Sequence, residues 1–433
     1  MKKNKTVLLG LNEINFDFIR FYIDKGFLPN FKTLFESQTP IKTSSEKKYK
    51  LLEPWIQWVT VHTGKSYNEH KVFRLGDIVN NKNLNQIFEE LEHRGLSIGA
   101  VSPFNAENRL KNPLFFIPDP WTKTYPSGNW IIKGIYKAVN QSVNDNASSK
   151  FKISSLIFLL LGILVYVPLS RWPHYFKLVV NFKKPGNKAI ILDSLLSDIF
   201  IKLLKRKNPD FSNLLLNSGA HIQHHYLFNS NAYRGSLENP EWYCAKNYDP
   251  LIKVLIEYDK TIGRLLKINN LKLIVATGLH QEPHEKITFY WRLNEHSKFI
   301  NKIGIIDFDE ILPRMSRDFL ITFKNISAAK EAEKILTSFE MVRDGESIFS
   351  VDNREKSLFV ELIYPHDISA NDAIFSKSSN LSVDNFKSYI SFVAIKNGAH
   401  NGTGYLTSNI DLNTKDNIRL SELNSLIKNI ALN

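Results

Sequence analysis

Short apolar runs that stop abruptly at polar clusters constrain this chain more than any other feature. Lys5 to Gly10 runs into Asn12-Glu13, Phe211 to Leu216 into Asn217 to His225, Leu271 to Ala276 into Thr277 to His280, and Ser391 to Ile395 into Gly398 to Gly402. An apolar run without alternation is what a strand needs when it is covered on both faces, and such strands belong to sheets with a helical layer on each side. Helical patterns lie between the runs. Phe16 to Lys25 repeats apolar residues at helical spacing before Gly26, Leu28-Pro29-Asn30-Phe31 opens a second helix, and Asn83 to His93 precedes Gly95 and the strand Leu96 to Val101. The alternation predicts an α/β fold with a largely parallel central sheet. In such a sheet the polar loops after the strands gather in one crevice, which makes these clusters, with Glu53 to Gly64, the candidate site.

The chain has 433 residues, 43% of them apolar, enough for one large domain with insertions. Its pattern breaks into core sequence over 1–111, a cap-like insertion over 112–207, core again over 208–312, a small α+β insertion over 313–370, and a last core part over 371–433. Within 313–370, a strand at Asp318 to Phe323, a helix at Ser327 to Phe339 and two strands in Ser347 to Tyr364 suggest a ferredoxin-like unit. Ile153 to Ser170 carries no charge and is flanked by Lys150, Lys152, Arg171, Lys177, Lys183 and Lys184. At the threshold length for crossing a bilayer, it reads as a buried helix, as a peripheral membrane contact, or as a span.

Met1 to Gly10 leads from lysines through a short apolar run directly to Asn12 and Glu13, which does not read as a signal peptide. The single cysteine, Cys244, excludes an intrachain disulfide framework and a thiolate cluster. Both points place the chain in a reducing compartment, the cytoplasm or the inner face of its membrane. A net charge of +13 on dispersed lysines reads first as a basic soluble surface, and otherwise as a sign of an anionic membrane surface, an anionic substrate or nucleic acid. No nucleic-acid motif accompanies the lysines, which makes nucleic acid the weakest of these. An anionic small molecule or glycan is the expected substrate.

The polar clusters, in their order, resemble the type I phosphodiesterase and nucleotide pyrophosphatase branch of the alkaline phosphatase superfamily. Leu8-Leu9-Gly10-Leu11-Asn12-Glu13 with Leu28-Pro29-Asn30 is similar to its opening, and Pro54-Trp55-Ile56-Gln57-Trp58-Val59-Thr60-Val61-His62-Thr63-Gly64 to the segment carrying its nucleophile. Asn217-Ser218-Gly219-Ala220-His221 is similar to its Asp-x-x-x-His metal motif, Leu273 to Leu279 to the strand ending in Ser-Asp-His-Gly, and Gly398-Ala399-His400 to the final Gly-x-His. The resemblance implies an alkaline-phosphatase-like sandwich and a site of two divalent ions flanking a Thr or Ser nucleophile.

The departures alter that expectation. Asn12 stands for the first Asp, Pro54 falls at or near the nucleophile, and Thr277-Gly278-Leu279 lacks the acid and histidine of its motif. What remains is one ion, expected to be zinc, on Asn217, His221 and His400. Glu13 and His224 are then the catalytic candidates, one of them a base that activates water directly, and Asn12, Trp58, Thr60 and Asn401 the substrate-binding ones. Each also has a plainer reading: Glu13 as a loop carboxylate, His224 and His225 as packing groups, Trp55 and Trp58 as core, His280 and His284 as exposed loop residues. Two functions follow. One is a metal-dependent hydrolase or transferase of phosphate or sulfate esters, on a glycan or lipid-linked substrate of envelope polysaccharide metabolism. The other is a catalytically inactive, membrane-associated binding or scaffold protein.

Overall fold

Lys5–Leu11 is the central strand of an eight-stranded sheet. Across the sheet the order is Asn417–Arg419, Ile41–Ser44, Thr403–Ser408, Leu271–Ala276, Lys5–Leu11, Phe211–Leu216, Ile98–Val101 and Phe115–Ile117. Neighbours are parallel except where Thr403–Ser408 runs against both of its own. The structure is a computed structural model that describes residues 5–144, 152–314 and 317–433. They divide into two units, one taking in the described residues of 1–143, 150–283 and 398–433, the other those of 284–397.

Both faces of the sheet are covered, as the unalternating runs require. Val7, Leu9 and Leu11 pack with Leu214, Leu216, Leu273 and Val275 under a layer that includes helices Phe16–Asp24, Asn187–Lys207 and Pro250–Leu266. Leu8, Leu215, Ile274 and Ala276 face the other way, against Trp58 and Val61 of helix Pro54–Thr63 and Leu423 and Ile427 of helix Glu422–Leu432. The Leu-Pro-Asn start of the second helix is held by Asp259, whose carboxylate accepts from the backbone N–H groups of Asn30 (2.9 Å) and Phe31 (2.8 Å).

The described residues of the stretch read as a cap, 112–143 and 152–207, form instead a largely helical layer of the first unit. It crosses from the edge strand Phe115–Ile117 to Phe211–Leu216 through helices Trp130–Asn144, Ile153–Tyr166, Trp172–Val180 and Asn187–Lys207. Ile132, Ile135, Tyr166, Tyr175 and Ile199 belong to the same core as the sheet, because only there can these apolar faces leave water. Ile153–Tyr166 has 14 residues, and no described helix is long and apolar enough to cross a membrane.

Two further sequence boundaries move. Residues 284–312 and 371–397, read as core, belong to the second unit: Trp291, Phe299, Ile374 and Phe386 share its apolar cluster with Phe319, Leu336 and Val360. Its four-stranded antiparallel sheet runs Phe349–Asn353, Ser357–Leu362, Asp318–Thr322, Glu310–Pro313, with helix Ile326–Thr337 after Asp318–Thr322. That is the strand order of a ferredoxin-like unit, except that the edge strand precedes the β-α-β-β run in sequence. His280–Leu293, read in part as a loop, pairs with Ile390–Asn401 in a two-stranded ribbon, so Ser391 to Ile395 is not a core strand. The last two core strands are Thr403–Ser408 and Asn417–Arg419.

Candidate metal centre

Glu13 ends the central strand in a left-handed conformation, φ 61°, which costs a non-glycine residue roughly 1 kcal/mol. Four residues hold it there. Its N–H donates to the Thr277 carbonyl (3.1 Å), and its carbonyl accepts from the Gln281 N–H (3.2 Å) and from Gln223 Nε2 (2.8 Å). Its side chain receives Gln281 Nε2 at 2.6 Å on Oε2 and Asn12 Nδ2 at 3.0 Å on Oε1.

Two histidines meet this carboxylate. His224, on helix Ser218–Tyr226, places Nε2 2.9 Å from Glu13 Oε2, and His400, on the strand Ile390–Asn401, places Nε2 3.0 Å from the same oxygen. The two Nε2 atoms are 3.3 Å apart. Glu13 is buried while His224 and His400 are partly open. Burial alone would raise the Glu13 carboxyl, but the imidazoles of His400 and His224 outweigh it and hold the group well below the usual carboxylate range.

The three donor atoms fit a small divalent cation. A tetrahedral ion bound at about 2.0–2.1 Å spaces its ligand atoms about 3.3 Å apart, and the observed edges are 2.9, 3.0 and 3.3 Å. Two imidazole nitrogens facing each other at hydrogen-bond distance across one carboxylate oxygen are also what an ion between them relieves. A third group stands behind: Glu53, the residue before helix Pro54–Thr63, has Oε2 3.9 Å from His400 Nδ1.

A hydrogen-bond relay fixes the floor. Trp58 Nε1 can only donate, and it donates to Asn12 Oδ1 at 2.7 Å. Asn12 Nδ2 must therefore face Glu13 Oε1 and Asn217 Oδ1, the latter at 2.7 Å. Gly10 and Gly398 make the space: a Cβ at position 10 would stand 2.7 Å from the Trp58 ring, and one at 398 would collide with Gln281 Oε1.

The structure thus redistributes the roles expected from sequence. Glu13, His224 and His400 come together. His221 is one turn earlier on the helix, exposed, with its ring 4.9 Å from that of His225; it is not in the cluster, and the ligand position expected for it goes to His224. Asn217 gives its amide oxygen to Asn12 and takes part in the relay. Asn12 likewise supports the carboxylate. Trp58 is wholly buried, with its indole N–H committed to Asn12. The Thr60 hydroxyl lies in its helix, 3.2 Å from His70 Nε2. Asn401 is held by the paired strand and by its own turn, donating to Glu282 at 2.9 Å and accepting from the Thr403 N–H at 2.9 Å. His280 is tied to the Thr403 carbonyl at 2.6 Å, and His284 lies in the second unit. Gln281 and Gln223 escaped the sequence reading. The one available signal was position, since Gln223 sits in the polar cluster Asn217 to His225 and Gln281 directly follows the cluster Thr277 to His280.

No protein-family model matches the chain, and no curated protein does. Solved structures with a similar course include phosphonoacetate hydrolase from Sinorhizobium meliloti 1021, with 11% identity over 99% of this chain and 96% of that one at a TM-score of 0.45. Human ectonucleotide pyrophosphatase/phosphodiesterase 5 gives 11% over 99% and 95% at 0.43. The alkaline phosphatase of the Antarctic bacterium TAB5 gives 12% over 100% and 99% at 0.41.

Proposed function

We propose that the chain is a hydrolase of anionic esters, phosphate or sulfate, working with one divalent ion held by Glu13, His224 and His400. The observation that carries the reading is the convergence of three donor atoms within 3.3 Å on a carboxylate that the surrounding amides orient. A bound divalent ion supplies Lewis-acid activation of water and of the ester oxygen. Three protein ligands leave one position for water or substrate, the pattern of catalytic rather than structural sites.

The chain's own residues do the rest. Glu13 contributes one negative charge against a divalent cation, so the centre keeps a net positive charge that attracts an anionic ester. Asn12 and Gln281 hold both carboxylate oxygens, so Glu13 cannot rotate away from the ion. His224 is the most open of the three, at 30% side-chain exposure, and marks the side from which substrate arrives. Pro54, where the resemblance sets a nucleophile, has no nucleophilic atom, and water attacks the ester directly. Zinc suits two imidazoles and a carboxylate.

Metal content tests the reading. Protein purified without chelator should carry about one equivalent of zinc or manganese, and His224→Ala/His400→Ala should carry none. Turnover of aryl phosphate and aryl sulfate esters should follow the metal. If both proteins are metal-free and neither gains turnover when zinc is added, the centre is no metal site and the chain is better described as a binding protein.

A further inference from the structure

We infer that the outer face of helices Ile153–Tyr166 and Trp172–Val180 is a docking surface for an anionic lipid bilayer. Both helices pack on Asn187–Lys207. The first buries Ser155, Gly162 and Tyr166, and Gly162 lies so close to Ile135 that a Cβ there would stand 3.0 Å from its side chain. The second buries Tyr175, whose hydroxyl donates to Asp198 at 2.7 Å.

What they turn outward is apolar. Ile153, Leu156, Ile157, Leu160 and Leu164 follow helical spacing along one face, all at least half exposed. On the second helix Phe176, Val179 and Val180 are more than half exposed, with Phe176 at 73%, and Trp172 is exposed at its start. Leu169 and Phe182 extend the surface at the connection and the far end. Apolar faces of this extent on a soluble surface mark an interaction site.

Charge selects the occupant. Between Asp119 and Asp193 the sequence has ten Lys or Arg and one acidic residue, Asp145. Lys152, Lys177, Lys183, Lys184 and Lys188 are all exposed beside the apolar residues. Lys184 and Lys253 both stand over the ring of Tyr248, at 5.9 and 5.0 Å, a like-charge crowding that anionic headgroups relieve. A second copy of the chain would bring two such rims together and meet repulsion. Aromatic residues occupy the border: Tyr125 and Trp130 are exposed, and Trp130 sits edge-on to Phe158 with centroids 6.0 Å apart. Fourteen residues reach about 21 Å, short of the roughly 30 Å hydrocarbon core, so the helix lies in the interface and does not cross it.

Co-sedimentation with vesicles decides the matter. At about 0.1 M salt, the wild type should pellet with phosphatidylcholine vesicles containing about 30% phosphatidylglycerol and at least about tenfold less with pure phosphatidylcholine. Ile157→Glu/Leu160→Glu/Phe176→Glu changes exposed positions only and should cost at least about tenfold in binding to the anionic vesicles. Its circular dichroism and elution volume should match the wild type. Lys177→Glu/Lys183→Glu/Lys184→Glu should weaken the same binding. The inference falls if the wild type ignores anionic vesicles, if the apolar triple variant binds them as well as wild type, or if the wild type elutes as a dimer that this variant converts to monomer while neither binds lipid.

Discussion

Asp198 and Glu13 are both buried in the first unit among cationic or ionisable partners, and the partners differ in a way that separates chemistry from architecture. Asp198, fully buried, receives Arg171 Nε at 2.9 Å, Arg264 Nη1 at 2.5 Å and the Tyr175 hydroxyl at 2.7 Å, with Glu257 bridging Arg171, His174 and Lys260 nearby. Guanidinium groups keep their protons and have no lone pair to offer, so this network ties helices Trp172–Val180, Asn187–Lys207 and Pro250–Leu266 and can do little else. Glu13 is buried to the same degree, yet its partners are imidazoles, which exchange a proton for a metal ion, and uncharged amides. The same burial gives a rivet in one place and a candidate catalytic centre in the other.

Mutation separates the two clusters. Glu13→Gln keeps the shape and removes the charge; metal content should drop from about one equivalent to a trace, and ester turnover by at least about 100-fold. Asp198→Asn should leave metal content intact but cost about 3 kcal/mol in urea unfolding, because Arg171 and Arg264 lose their shared counter-charge. Loss of metal in that variant would mean that the two clusters are not separable.

Trp58→Phe removes the donor that orients Asn12. Metal affinity measured by chelator competition should weaken about tenfold, with a stability cost of about 1 kcal/mol. An unchanged affinity would reduce Trp58 to packing.

The rivet also carries a pH dependence. Burial would raise the Glu257 carboxyl, but His174 and Lys260 hold it at about 2, below its ordinary 4.5. A depressed folded-state value stabilises the fold above pH 4.5, and the contribution is lost as pH falls toward 2. The urea midpoints of wild type and Glu257→Gln should therefore differ at pH 7 and approach each other as pH nears 2. A constant gap would assign the effect to packing.

Much of the frame was legible in sequence. Lys5–Leu11, Phe211–Leu216 and Leu271–Ala276 announced themselves as buried strands, since continuous apolar runs ending at Asn, Thr or Glu have few other uses. The site was legible as a set of clusters but not as a set of roles. Asn217-x-x-x-His221 fits a ligand motif, yet His221, His224 and His225 share one helix face, and spacing cannot say which of them meets a partner from another segment. Trp58 read as a substrate-binding or core residue and Gln281 drew no reading, because both hold other side chains in place and such a role leaves no motif. Residues 112–207 read as a cap because their composition differs from the core, although their apolar faces pack on the same sheet layer.

Sequence alone determined the local quantities: which runs are apolar on both sides, where helices start, and that neither a disulfide framework nor a thiolate metal site is available to a chain with one cysteine. Tertiary structure decided everything that depends on distant segments meeting. Glu13 and His400 stand 387 residues apart in the chain and 3.0 Å apart in space. Whether such groups form a donor set depends on ångström-scale placement by the sheet's register and the helix's rotation, and residue type and spacing do not encode either.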